Sequence, residues 1–285
     1  DETSLQRYTF ICCTRLFLIF AFLYAPILVL IVFSFNESKS RANWEGFTLK
    51  WYIQLFQDRQ IMSALYYTIL IAILSSAIAT LIGVAASIGI FNMKKLPQKV
   101  ILNLNYLPIL NPDIVTGISL MVLFIFTKIQ LGFLTMLFAH ITFNIPYVIL
   151  SILPKLKQMN KHLYEAALDL GATPFEAFKK VILPEIMPGV ITGFLLAFTL
   201  SLDDFVISFF TTGSGVTNLS ISIYAMARRG ISPKINALST LMFLGVLMLL
   251  IIVNVRISKD NPERRAKNEK NKESNRFVTD GGHDI

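Results

Sequence analysis

The chain has 285 residues, of which 54% are hydrophobic and 15% are charged, and its mean hydropathy is +0.60. Soluble globular domains carry about a quarter charged residues, so this composition excludes a water-soluble enzyme. The formal net charge is +8. The C-terminal segment mixes basic residues with acidic ones, so the net charge indicates membrane topology rather than a nucleic-acid partner.

Six apolar stretches are predicted to cross a bilayer, which takes roughly 20 mostly apolar residues. They lie at 10–35, 64–91, 101–127, 131–153, 187–211 and 235–257. The third contains Pro108, Pro112 and Asp113, which predict a kink or a locally unwound turn, and the fifth is interrupted by Asp203 and Asp204. Because breaks at membrane depth need protein or water to satisfy the backbone, both spans should face the bundle interior.

Lysine and arginine are distributed unevenly between the two sides of this topology. With the N-terminus inside, 18 of the 26 basic residues lie on the inner side, which predicts that both termini are cytoplasmic. Residues 1–258 are therefore expected to form a membrane domain. Residues 259–285 are polar, without apolar periodicity, and are predicted to be a disordered cytoplasmic tail. A lipid-headgroup or nucleic-acid role for the basic residues of the tail is the alternative.

The connection between the fourth and fifth spans, residues 155–186, is too polar to cross the membrane. Its pattern predicts a helix that ends at Gly171 and a second short helix that opens at Pro174. Pro184 and Pro188 are expected to stop the second helix before the fifth span. On periodicity alone, this segment could equally be an amphipathic hairpin resting on the bilayer.

The residue types in this connection are more specific than its periodicity. The order Glu-Ala-Ala, three residues, Gly, nine residues, Ile-x-Leu-Pro is the signature loop of the membrane subunits of ATP-binding-cassette (ABC) importers. Only valine at 181 departs from it. The resemblance implies that the segment forms a coupling helix that docks in a groove of an ATPase subunit. The residues that would carry the coupling are Glu165, Ala166, Ala167, Gly171, Leu183 and Pro184.

The resemblance extends over about residues 15–258. Stretches such as Asn43–Tyr52, Pro112–Val115, Ala139–Phe143 and Phe198–Asp204 resemble spermidine/putrescine permeases, and more closely the second of the two homologous subunits. This implies an all-α polytopic fold with six transmembrane helices of the type I ABC importer kind, in a bacterial cytoplasmic membrane. It also implies that the chain is a transport subunit and not an enzyme.

The resemblance implies several partners. They are a homologous permease subunit, two ATP-binding subunits, an extracytoplasmic polyamine-binding protein and the lipid bilayer. The chain has no Gly-rich lysine loop of the kind that cradles ATP phosphates. No cofactor is therefore expected in this chain, and ATP and Mg²⁺ are expected on the partner ATPase.

The intramembrane acids are the candidate substrate contacts. A carboxylate at the bilayer centre costs about 2.5–3.5 kcal/mol on insertion scales, and Asp203 lies roughly 26 Å along the fifth span, toward its outer side. Polyamines offer ammonium groups that carboxylates and aromatic faces attract. The predicted substrate-binding residues are Trp51, Asp113, Ser201, Asp203 and Asp204, with Trp51 at the mouth and Ser201 as a hydrogen-bonding neighbour.

Each of these residues also has a structural alternative. Asp113 could cap a half-helix, and the pair Asp203–Asp204 could bind Arg228–Arg229 or dock a helix end. Trp51 could be an interfacial anchor. No spacing of His, Cys or carboxylates predicts a metal site, and His140 is expected to be a hydrogen-bonded packing residue.

Three other functions fit parts of the sequence. A permease for another small solute would share the coupling segment. An ion-coupled secondary transporter would share the broken helices and the acids, but it would not use the coupling segment. An intramembrane aspartyl protease needs two aspartates that share a proton, but its glycine-flanked motif is missing around Asp203.

Overall fold

The computed structural model describes residues 2–38, 43–160, 162–229 and 233–259, and these residues are almost entirely helical. They belong to two compact units, Phe33–Ile235 and a second unit with the chain ends. The tail predicted at 259–285 lies outside the described residues apart from Lys259. In chain order the helices are α1 (Glu2–Phe33), α2 (Lys50–Gln57), α3 (Arg59–Asn92), α4 (Lys95–Leu110), α5 (Asp113–Phe126), α6 (Phe133–Gln158), α7 (His162–Asp169), α8 (Pro174–Ala177), α9 (Leu183–Asp203), α10 (Val206–Thr211), α11 (Leu219–Arg229) and α12 (Pro233–Lys259).

The predicted spans coincide with helices or helix pairs of the described residues. Four stretches are long and apolar enough to cross a membrane: Thr14–Phe33, α3, α6 and Pro174–Asp203. The pair α4 and α5 passes the same test as one span bent by 102°, which confirms the predicted kink. The apolar part of α12, Pro233–Met248, is shorter. The positions are therefore consistent with six spans.

Three helices, α3, α6 and α9, form the core of the larger unit. Their buried contacts come from small and branched side chains, including Ala79, Val148, Ile186 and Ala197. Gly189 of α9 lies so close to α6 that an added Cβ would be 2.9 Å from the carbonyl oxygen of Ser151. In a membrane, where lipid is as apolar as leucine, such close packing drives helix association.

We expect Gly189→Ala to destabilise the larger unit, because the backbone oxygen opposite cannot move away like a flexible side chain. Overpacking of this kind costs about 1–3 kcal/mol. Gly89→Ala is the matched control, since a Cβ at Gly89 meets nothing within 4 Å and alanine favours helix by about 1 kcal/mol. Thermal unfolding in detergent should show a lower Tm for Gly189→Ala only. Equal Tm values for the two variants would contradict the close packing.

The segment between α6 and α9 folds locally as its sequence predicts. The chain leaves α7 through Gly171, whose φ of +86° lies in the left-handed region that favours glycine. Thr173 then caps α8: its hydroxyl accepts from the Glu176 N–H, and the Glu176 carboxylate accepts from the Thr173 N–H. This reciprocal capping box fixes the start of the second helix.

The expectation that Pro184 and Pro188 separate this helix from the fifth span is wrong. The chain stays helical from Pro174 to Asp203 through a π-helical turn at Phe178–Ile182. The Leu183 N–H donates to the Phe178 carbonyl, five residues earlier. Pro184 lies in the first turn after the π-helical turn. A proline is tolerated at the start of a helical segment, because it has no N–H to donate there. The segment from α7 to α8 is therefore joined to the fifth span by one continuous helix.

The smaller unit contains α1 and α12. From residue 16 to its end at Phe33, α1 has no charged residue, and large side chains such as Phe17 and Phe22 are exposed. A helix that is apolar all round is typical of a membrane span rather than of a soluble surface.

Candidate functional site

The fifth span is interrupted where its two acidic residues stand. α9 ends at Asp203, and α10 begins two residues after Asp204. The Asp204 carboxylate accepts from the backbone N–H of Ile207 at 3.2 Å and of Ser208 at 2.7 Å. A carboxylate is favourable there because the first N–H groups of a helix lack partners within the helix. Asp204 therefore docks a helix end, which is the alternative that the sequence allowed.

Asp203 and Ser201 face different surroundings within the same turn. The side chain of Asp203 is exposed, and its backbone carbonyl accepts from the Ser220 hydroxyl at 3.3 Å. Ser201 is 2% exposed and bonds to Asn144 at 2.7 Å and to Ser75 at 3.0 Å. Asp203 thus offers an accessible carboxylate, whereas the Ser201 hydroxyl is already engaged inside the bundle.

Asp113 begins α5 at the 102° bend of the third span. It is exposed and lies in the first turn of the helix, whose N-cap residue is Pro112 and makes no side-chain hydrogen bond. One turn later, Gly117 packs against α10, where an added Cβ would lie 3.0 Å from the Phe210 ring. The structure therefore places Asp113 at the start of a helix that contacts α10, and it places the acidic pair in the two to three residues that precede α10.

Trp51 lies in α2, a short helix that packs against α3. Its side chain is 3% exposed, and its indole N–H donates to the Asn36 carbonyl at 2.7 Å. Asn36 in turn forms an antiparallel bridge with Phe47. In this conformation Trp51 fastens the segment after α1, while Trp44 is half exposed. The structure does not place Trp51 on the helices that carry the acids.

The segment from α7 to α8 exposes apolar side chains on its surface. Leu170 is 88% exposed and Phe175 is 71% exposed. The Glu165 carboxylate is also exposed and lies 3.2 Å from His162 Nδ1. Exposed large apolar residues that cluster in a polar segment are typical of a contact surface. This face is therefore free to bind a partner.

Two buried polar residues of α6 complete the surroundings of the break. His140 Nε2 lies 2.9 Å from Ser208 Oγ, so His140 is buried and hydrogen-bonded as expected. The sequence does not single out Asn144, because one asparagine in an apolar stretch forms no motif. Among the described residues, no three His, Cys, Asp or Glu side chains cluster to hold a metal ion.

Known proteins are similar to this chain over most of its length. Residues 79–268 match the family described as binding-protein-dependent transport system inner membrane component. The spermidine/putrescine transport system permease protein PotC of Escherichia coli (strain K12) is 40% identical over 242 residues, which cover 85% of this chain and 91% of that protein. The putrescine transport system permease protein PotI of the same organism is 39% identical over 229 residues, covering 78% and 82%.

A solved structure has the same fold. A chain of a bacterial ABC transporter involved in the import of the acidic polysaccharide alginate superposes with a TM-score of 0.67, covering 90% of this chain and 95% of that chain. At 18% identity this likeness concerns the fold alone. It agrees with the predicted all-α architecture. The family match and the relatives named as permeases show a transport subunit, and not the aspartyl protease or the ion-coupled transporter that the sequence also allowed. The chain is a multi-pass membrane protein and belongs to the family of binding-protein-dependent transport system inner membrane components.

Proposed function

We propose that this chain is the permease subunit of an ATP-driven importer of polyamines such as spermidine and putrescine, and forms half of the translocation pathway. The observation that carries the proposal is the exposed carboxylate of Asp203 at a helix break. It occurs in a chain 40% identical to a protein named for spermidine and putrescine transport. A carboxylate at such a place is costly unless it meets a cation or water.

The substrate chemistry fits the acids of the interrupted spans. A polyamine carries ammonium groups separated by methylene units, so it needs separated negative charges rather than one. Asp113 and Asp203 are both exposed, and they lie on α5 and beside α10, which pack together. Asp204 adds negative potential at the break. Ser201 supports the last turn of α9. Trp51, which is buried and bonded to Asn36, would hold the outer segment in place rather than touch the substrate.

The partners follow from the exposed surfaces and from the relatives. A homologous permease subunit would complete the pathway, and an extracytoplasmic binding protein would deliver the substrate. In support, a related alginate transporter has been solved with its periplasmic protein. Two ATPase subunits would bind ATP and Mg²⁺ and dock on the coupling segment, where Leu170 and Phe175 are exposed. That segment and both termini would then lie in the cytoplasm.

ATP-dependent uptake of labelled spermidine and putrescine tests the proposal directly. The chain would be expressed with its partner permease, ATPase and binding protein in cells that lack other polyamine importers. We expect saturable uptake that stops when ATP is depleted and that excess unlabelled spermidine suppresses. Uptake that persists without ATP would contradict the coupling. The absence of uptake by a correctly assembled complex would contradict the polyamine substrate.

A further inference from the structure

Two polar side chains stand one turn apart on α6, in the part of the helix that contacts α9 and α10. His140 is 1% exposed and Asn144 is fully buried. Burying an imidazole or a carboxamide is unfavourable unless new hydrogen bonds replace those made to water. The partners of these two side chains therefore indicate their role.

His140 binds the start of α10. Its Nε2 atom lies 2.9 Å from Ser208 Oγ and 3.7 Å from the Asp204 carboxylate. The Ser208 N–H donates to that same carboxylate at 2.7 Å. The imidazole, the hydroxyl and the carboxylate thus form one polar cluster. This cluster holds the N-terminus of α10 against α6.

Asn144 binds the end of α9. Its Nδ2 group donates to Ser201 Oγ at 2.7 Å and approaches Ser75 Oγ of α3 at 3.4 Å. The two serine hydroxyls are themselves 3.0 Å apart. Because Ser201 lies in the last turn of α9, Asn144 fixes the other side of the helix break to α6 and α3.

Packing alone does not account for the two residues. His140 Nδ1 and Asn144 Oδ1 are buried and have no hydrogen-bond partner in the described part of the chain. A buried polar group that is only half satisfied is less favourable than an apolar side chain of similar size. The bonds that the residues do make both lead to the break, and the exposed Asp203 lies in the sequence between the two bonded residues, Ser201 and Ser208.

We propose that His140 and Asn144 are positioning residues of the transport site. They fasten α10 and α9 to one face of α6 and thereby set the place of the Asp203 carboxylate between the two helices. They act through the helix ends and not by touching the substrate. The inference rests on the proposed function, because it concerns the surroundings of the proposed cation contact. If the Asp203 carboxylate were displaced by about 1 Å, it would bind an ammonium group of the substrate less well.

Uptake measured against spermidine concentration by the assembled transporter tests this positioning. His140→Gln and His140→Asn both introduce an amide, but only the glutamine amide reaches the position of the imidazole Nε2. We expect the KM of His140→Gln to stay within about twofold of the wild type. His140→Asn should raise the KM about five- to tenfold, a factor that corresponds to the free energy of one lost hydrogen bond. Its maximal rate should change less. Asn144→Leu should behave like His140→Asn.

Ser208→Ala removes the hydroxyl that bonds to His140, with little change in volume. It therefore tests the positioning role even if the His140 variants fail to reach the membrane. It should raise the KM as His140→Asn does, and the double variant should be no worse than either alone. Unchanged KM values, or a loss of maximal rate at constant KM, would overturn the positioning role. A wild type without uptake would instead overturn the polyamine function itself, and the positioning role would fall with it.

Discussion

Asp203→Asn is expected to weaken polyamine uptake about tenfold or more in KM, while the amount of protein in the membrane stays normal. Asparagine keeps the size of the side chain and removes only its charge. The Asp203 carboxylate is exposed at the break, and Ser220 bonds its backbone carbonyl rather than its side chain. A tenfold loss corresponds to ~1.4 kcal/mol, a modest value for one charge contact with an ammonium group. Uptake across a range of spermidine concentrations measures it.

Glu45→Gln is the matched control for this charge removal. Glu45 is exposed in the segment after α1, on the proposed outer side, so the two variants change the net charge equally on one side of the membrane. If both variants raise the KM alike, the effect is general electrostatic attraction of the cation, and Asp203 is not a contact. If Asp203→Asn transports normally, the carboxylate is structural and the cation binds elsewhere.

The membrane-spanning elements were predictable because the bilayer imposes strong constraints on sequence. Each predicted span coincides with a helix or a helix pair of the described residues. The breaks were predictable too, because Pro112 cannot continue a backbone hydrogen-bond ladder and because Asp203 and Asp204 are costly in lipid. The turn at Gly171 followed from the same local chemistry, since its φ of +86° suits glycine.

The features that escaped prediction depend on tertiary contacts. Pro184 suggests a helix stop, but the π-helical turn before it keeps the chain helical, and no local rule places such a turn. Asn144 has no neighbouring motif, so its role depends on Ser201, 57 residues away. The burial of Trp51 likewise depends on a hydrogen bond to Asn36. The sequence names candidate residues, but only the fold shows which of them are exposed at the helix break and which are buried.

Gly171→Val is expected to uncouple the transporter. Valine at a φ of +86° strains the backbone by about 1–2 kcal/mol, and open space around Gly171 means that no clash adds to this. The strain should rotate α7 relative to α8 and so displace Leu170 and Phe175, which form the exposed apolar surface. Uptake should fall at least about tenfold, since the proposed docking surface would no longer match the ATPase. Substrate-stimulated ATP hydrolysis should fall with it, and the complex with the ATPase should weaken.

Gly215→Val separates this effect from backbone strain in general. Gly215 has a φ of +89° and equally open surroundings, but it lies between α10 and α11, on the proposed outer side. Both variants therefore carry the same local penalty at opposite ends of the fifth span. Only Gly171→Val should lose co-purification with the ATPase, because only its strain reaches the coupling segment. If both variants retain the ATPase equally, the segment from α7 to α8 is not the docking surface, and its exposed leucine and phenylalanine would instead face lipid.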